Sequence, residues 1–173
     1  MMRFAIVDRH SSRERSAQRG VLLALLSLTA LAGLAAWWAT ADWAEFYARL
    51  SRPAWAPHTN LMISFWAVPY LLAATATWLS VKEWGWKISQ GLVSLYLLQL
   101  FVSALWQILL FGRHFGAAAF VVGTLLVILA SVSSTALFRL HKRAAMLMWP
   151  YVIWVTFTLV LTFSVWRRNP FLL

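Results

Sequence analysis

The chain has 173 residues, 62% of them hydrophobic and only 12% charged, with a formal net charge of +10. A soluble domain of this size has too much surface to hide that much apolar area, so the composition specifies a membrane protein. No cysteine is present, which excludes disulfides, thiolate nucleophiles and sulfur-ligated metals. The basic residues stand between apolar runs and form no soluble face, which speaks for topology and anionic lipid and against nucleic acid.

Residues 1–20 carry Arg3, Arg9, Arg13, Arg15 and Arg19 with Asp8 and Glu14 and read as a short, mobile basic tail. Residues 21–40 are uncharged and long enough for a first span. Ala39-Thr40-Ala41 resembles a signal-peptidase site. The apolar run before it exceeds a signal peptide's usual length and Trp37-Trp38 are bulky neighbours, so the segment is expected to be retained.

Residues 41–60 form the longest connection. Within it Arg52, Pro53, Trp55, Pro57 and His58 make a stiff, aromatic, basic lip, because the prolines fix φ and disfavour helix before them. This lip opens onto an apolar run in which Trp66 and Tyr70 lie one helical turn apart. The arrangement suits a flat, apolar ligand carrying negative charge at one edge.

Apolar runs follow at about 61–81, 88–111, 115–137 and 144–165, joined by short links. Short links make sequential neighbours antiparallel, so the expected fold is all-α, a five-transmembrane-helix bundle forming one membrane domain over 21–173. Ten Lys or Arg fall on the side of the N-terminus and five on the other, which places the N-terminus in the cytoplasm.

No span contains Asp, Glu, Lys, Arg or His. Proton relays, ion-coupled carriers and voltage sensors need ionisable groups within the membrane, and a transmembrane haem needs histidine inside helices; neither a metal site nor a resident cofactor is expected. Three spans instead carry stripes at helical spacing: Trp66, Tyr70, Ala73 and Thr77; Tyr96, Gln99, Ser103, Trp106 and Gln107; Tyr151, Trp154, Thr158 and Thr162. Taken singly, each suits interhelical packing. Three together near the basic lip point to a lined cavity. Trp37, Trp38, Trp84, Trp86, Trp149 and Trp166 fall near span ends and read as interfacial anchors. Gly116, Ala119 and Gly123 form a small-residue face suited to close helix contact, within the bundle or across a homodimer.

The motifs Arg52-Pro-Ala-Trp-Ala-Pro57 with Trp66 eleven residues beyond Trp55, Leu95-Tyr-Leu-Leu-Gln-Leu100, Ser103-Ala-Leu-Trp106, Phe111-Gly112, Pro150-Tyr151, Trp154-Val-Thr-Phe157 and Val165-Trp-Arg-Arg-Asn169 together resemble the TspO/MBR family, the tryptophan-rich sensory proteins related to the mitochondrial translocator protein. The resemblance covers spans two to five. It implies a five-helix bundle, usually dimeric, with a pocket beneath the first loop, in a bacterial inner membrane. It also implies a tetrapyrrole-binding protein that senses, buffers or transports porphyrin or haem. Trp55, Trp66, Tyr70, Gln99, Ser103, Trp106, Tyr151, Trp154, Thr158 and Thr162 would line the site, and Arg52, His58 and Arg113 would attract carboxylates at its rim. Indole faces stack on planar rings and basic groups meet propionates, in accord with the residue-level reading. Some members are reported to degrade protoporphyrin in light and oxygen, for which the catalytic tryptophans would be Trp66 and Trp154. A scaffold acting on partner proteins is the third reading. The chain departs from the family pattern at Ser103 and Thr162, where Asn is usual, at Thr158 for Ala, at His58 for Pro and at Phe163 for Tyr.

Overall fold

The computed structural model describes residues 2–140 and 142–173, with side chains described except those of residues 2–17, 60, 63 and 64. Every regular element among the described residues is helical. In chain order these are α1 (Met2–Ala39), α2 (Trp43–Arg49), α3 (Thr59–Trp84), α4 (Trp86–Gln107), a π-helical turn (Ile108–Gly112), α5 (Gly116–Leu140) and α6 (Lys142–Arg168). Among the described residues four segments are long and apolar enough to cross a membrane: Gln18–Ala39, Trp86–Gly112, Gly116–Leu140 and Lys142–Arg168.

The basic N-terminal segment, read from composition as a mobile tail, continues α1 as helix back to Met2. Its arginines up to Arg15 lie outside the described side chains. The link expected at 82–87 shrinks to Gly85, whose φ of +76° ends α3 and starts α4. A glycine is what such a left-handed backbone accepts without strain.

Sequential long helices pack on one another, as the short links require. The α3–α6 contact closes α3, α4, α5 and α6 into a ring, and α1 lies against both α3 and α4. Pro69 sits inside α3 and Pro150 inside α6, each removing one rung of the helical ladder. The core falls into two aromatic and aliphatic clusters. One surrounds Tyr96, Ala130, Met148 and Tyr151; the other surrounds Trp43, Tyr47, Trp106 and Phe111 beneath α2.

The small-residue face of α5 belongs to the bundle. A side chain at Gly116 would come within 2.5 Å of the Trp166 ring, and one at Gly123 within 3.2 Å of Trp106 and Leu159. Glycine here is a requirement of close approach. Ala119 between them is fully buried.

Candidate functional site

The connection after α1 folds as a cap. Trp43 and Tyr47, one turn apart on α2, are each only 1% exposed. The Trp43 ring meets Trp37, Trp66 and Phe111 at centroid distances of 5.9, 5.6 and 5.9 Å. Tyr47 donates its hydroxyl to the Pro57 carbonyl at 3.0 Å, and the Arg52 guanidinium lies 4.7 Å from the centre of its ring. Burial pushes the Tyr47 phenol above its ordinary value, with Arg52 pulling against that shift.

Asn169, just past α6, ties the cap down. Its side-chain oxygen accepts from Ser51 N–H at 2.8 Å, and its amide donates to the carbonyls of Ser51 at 3.1 Å and Val165 at 2.7 Å. The space beneath, walled by Tyr47, Met62, Trp106, Thr158 and Thr162, is reduced to about 10 Å³. The expected open mouth under the first loop is thus filled by the loop's own aromatic side chains. Trp43 and Tyr47 are absent from the expected site, although their spacing is a readable amphipathic turn, and Asn169 enters the sequence reading only as the end of a motif.

An apolar cavity lies to one side, among α1, α3 and α4. Its volume is about 370 Å³, and its walls carry Thr29, Gly33, Ala36 and Trp37 of α1, Trp66, Ala67 and Tyr70 of α3, and Ser103, Trp106 and Gln107 of α4. Three indoles therefore face a largely apolar space. Tyr70 and Ser103 hydrogen-bond to each other in its wall. Thr29 shares a 2.6 Å hydrogen bond with the Tyr96 hydroxyl, and Gln107 donates to Thr40 Oγ1 at 3.1 Å. These pairs satisfy polar groups that would be costly unpaired in hydrocarbon.

Among the expected site residues, Trp66, Tyr70, Ser103 and Trp106 are brought together at this cavity. Trp106 also donates its indole N–H to Thr162 Oγ1 at 3.2 Å, so Thr162 acts behind the wall. Thr158 is buried nearby and bonds back to Val155. Tyr151 packs edge-on against Tyr70 at 5.0 Å and does not line the cavity. Gln99 turns to α5, where it donates to Ser133 Oγ at 2.7 Å. Trp154 stacks with Phe65 and Phe157 at 6.0 and 5.6 Å, and Trp55, 49% exposed, meets Phe157 edge-on. Trp66 and Trp154 thus face different surroundings, and of the two Trp66 alone lines the apolar cavity. Of the three rim cations, Arg52 is spent on Tyr47 while His58 and Arg113 are exposed, and none lines the cavity.

Two of the expected interfacial anchors have other tasks. Trp37 lines the cavity and supports Trp43, and Trp166 packs over Gly116. The contribution of α1 went unread, yet Thr29, Ala36 and Thr40 are buried at helical spacing, a stripe of the same kind as the other three. No group of three or more His, Cys, Asp or Glu among the described residues could hold a metal ion.

A profile of the TspO/MBR family matches residues 23–167. The chain belongs to that family. It is 32% identical over 133 residues to the tryptophan-rich protein TspO of Chlorobaculum tepidum, covering 75% of this chain and 82% of that one. To the human translocator protein it is 34% identical over 129 residues, 72% of this chain and 75% of that one. Protein CrtK of Rhodobacter capsulatus is 30% identical over 129 residues, with 72% and 79% covered. The matched region takes in the cavity, the cap and nearly all of α6, and with its long apolar helices the chain is an integral membrane protein of the TspO/MBR family.

Proposed function

We propose that this protein binds a tetrapyrrole, porphyrin or haem-like, in the cavity among α1, α3 and α4, and so senses, buffers or transports it. The observation that carries the reading is the meeting of Trp37, Trp66 and Trp106 around an apolar space of about 370 Å³ with the Tyr70–Ser103 hydroxyl pair in its wall. That volume is toward the small end of the range for ligand pockets. A flat macrocycle would therefore enter edge-on, stacked on indole, with its carboxylate edge left outside.

In this reading α3, with 26 residues and about 39 Å of helix at 1.5 Å per residue, is the fifth span. The N-terminus lies in the cytoplasm of a bacterium, beneath its inner membrane, by the charge bias of the loops. A homodimer would use a face other than Gly116–Gly123, which the bundle itself consumes.

The test is quenching of tryptophan fluorescence by protoporphyrin, in the dark, on detergent-solubilised protein. Saturable quenching that Trp66→Ala and Ser103→Leu weaken supports the site. Quenching that never saturates, or that both variants leave unchanged, refutes it.

A further inference from the structure

We propose that Gln107 reads the edge of the ligand that enters the apolar cavity, and that the edge it accepts is a lactam, with N–H and C=O side by side. The proposal rests on the binding reading of that cavity and names the chemistry of the ligand's inner end.

Most polar groups in the cavity wall are already paired. Tyr70 bonds with Ser103, Thr29 with the Tyr96 hydroxyl, and Trp106 gives its N–H to Thr162. Gln107 differs. It lines the cavity while only 8% exposed, and its one side-chain hydrogen bond among the described residues runs from Nε2 to Thr40 Oγ1 at 3.1 Å. Thr40 decides which way the amide faces. Its own hydroxyl donates to the Ala36 carbonyl at 2.8 Å, so Thr40 Oγ1 can only accept, and only the NH2 end of the amide can meet it. The carbonyl end of Gln107 is turned elsewhere, and its Oε1 accepts nothing from the described residues.

A structural task accounts for half of this side chain. The bond to Thr40 ties α4 to the end of α1 and uses one N–H. An acceptor oxygen and a second N–H are left over, which is costly in an apolar space unless something pairs with them. Gln99, on the same helix, marks the contrast. Its oxygen is also unpaired, but it is sealed within the core and the residue does not line the cavity. Gln107 is moreover the last residue of α4, where the helix widens into the π-helical turn, a departure from α geometry that recurs at functional sites.

The free half of the amide defines its complement. An edge with one donor and one acceptor satisfies it, and lactams and carboxylic acids both present such an edge. The acid arrives ionised at neutral pH, with no proton to give Oε1. Residues 21–40, 61–81 and 88–111 also hold no cation to receive its charge. The lactam stays neutral and stays a donor. The rest of the ligand is flat and apolar, to lie against Trp37, Trp66 and Trp106. A tetrapyrrole meets these terms when a terminal ring is a lactam, an edge that the carbon rim of a closed macrocycle lacks.

The test titrates phenanthridinone, a flat lactam, its N-methyl derivative, which lacks the donor, and protoporphyrin against the tryptophan fluorescence of the full chain in detergent. The lactam should bind about tenfold more tightly than its N-methyl derivative, as expected when a buried acceptor is paired in one complex and orphaned in the other. Gln107→Met keeps the length of the side chain, removes the amide and should erase the difference. Thr40→Val frees the amide to turn and should shrink it, a change in selectivity that a purely structural tie between α1 and α4 would not produce. Should Gln107→Met fail to fold, Thr40→Val is read in its place. Equal affinities in the native chain, or a preference that survives these substitutions, overturn the proposal.

Protoporphyrin separates this outcome from that of the binding reading. If it quenches saturably while the lactam pair binds equally, the binding reading stands and the role of Gln107 falls. If the lactam alone is held selectively, the role of Gln107 stands and the porphyrin reading falls. If neither quenches saturably, both fall.

Discussion

Trp43 offers the sharpest test of how the cap is held. Its ring is buried against Trp37, Trp66 and Phe111, yet its indole N–H finds no partner among the described residues. Truncation to alanine removes a large buried ring and leaves a cavity, worth about 3–5 kcal/mol. The aromatic edge contacts add about 0.5–1.5 kcal/mol per pair. Against this, the unpaired N–H carries a desolvation penalty of about 1–3 kcal/mol that truncation relieves. Packing exceeds the penalty, so Trp43→Ala should destabilise the cap by about 3–5 kcal/mol. Trp43→Phe keeps much of the ring and discards the orphan donor, so it should cost about 1 kcal/mol or less. Hydrogen exchange of α2 amides and thermal unfolding in detergent would measure both. If the two variants are equally damaging, the indole N–H contributes a hydrogen bond and the packing argument is wrong.

Other substitutions probe the remaining contacts. Gly116→Val drives a branched side chain into the Trp166 ring and should destabilise by about 1–3 kcal/mol, as overpacking does, seen as a lower melting temperature in detergent. Asn169→Ala removes three side-chain hydrogen bonds to Ser51 and Val165; with Ser51 exposed to water, about 1–2 kcal/mol is the expected loss, read as faster amide exchange in α2. The cap binds Tyr47 as the neutral phenol, whose folded value is raised. Its stabilisation should be complete below the unfolded value of about 10 and be lost as pH rises through the higher folded value. Titration of tyrosinate absorbance, compared between the native chain and Tyr47→Phe so that the difference isolates the Tyr47 step, checks the sign.

The bundle was legible because length, hydropathy and the spacing of apolar runs report on burial one segment at a time. Site geometry depends on which faces meet. Trp66, Tyr70, Ser103 and Trp106 sit on two sequential, antiparallel helices, so stripe spacing was enough to bring them together. Trp154 shares a helix face with Tyr151 by the same arithmetic, yet its ring lies with Phe65 and Phe157. Spacing fixes the direction of Cα–Cβ but not the rotamer of a ring or the partner across the gap. The cap follows the same rule. Its charged, aromatic, proline-bearing stretch has the composition of an open mouth, whereas positions 43, 47 and 50 of that stretch fold inward. Arg52 then serves Tyr47 and is not left facing a ligand.

One side chain divides the apolar cavity beside α1 from the nearly filled space under the cap. Trp106 borders both the cavity of about 370 Å³ and the nearly filled space beneath α2. Its N–H is fixed on Thr162, and Thr162 is oriented by donating its own hydroxyl to the Thr158 carbonyl at 2.7 Å. Its ring edge lies near Gly123, where any Cβ would crowd it, and against Trp66 and Phe111. The indole is thus fixed at its polar end by α6, given room by a glycine of α5, and braced by rings from α3 and the π-helical turn. Thr162 accepts one hydrogen bond with a short side chain, so the donor must come close to it. That draws the ring toward α6, blocks the space under the cap and leaves the volume on the α1 side. A residue at 162 with longer reach would let the ring withdraw, and the two spaces would exchange volume through a single rotamer.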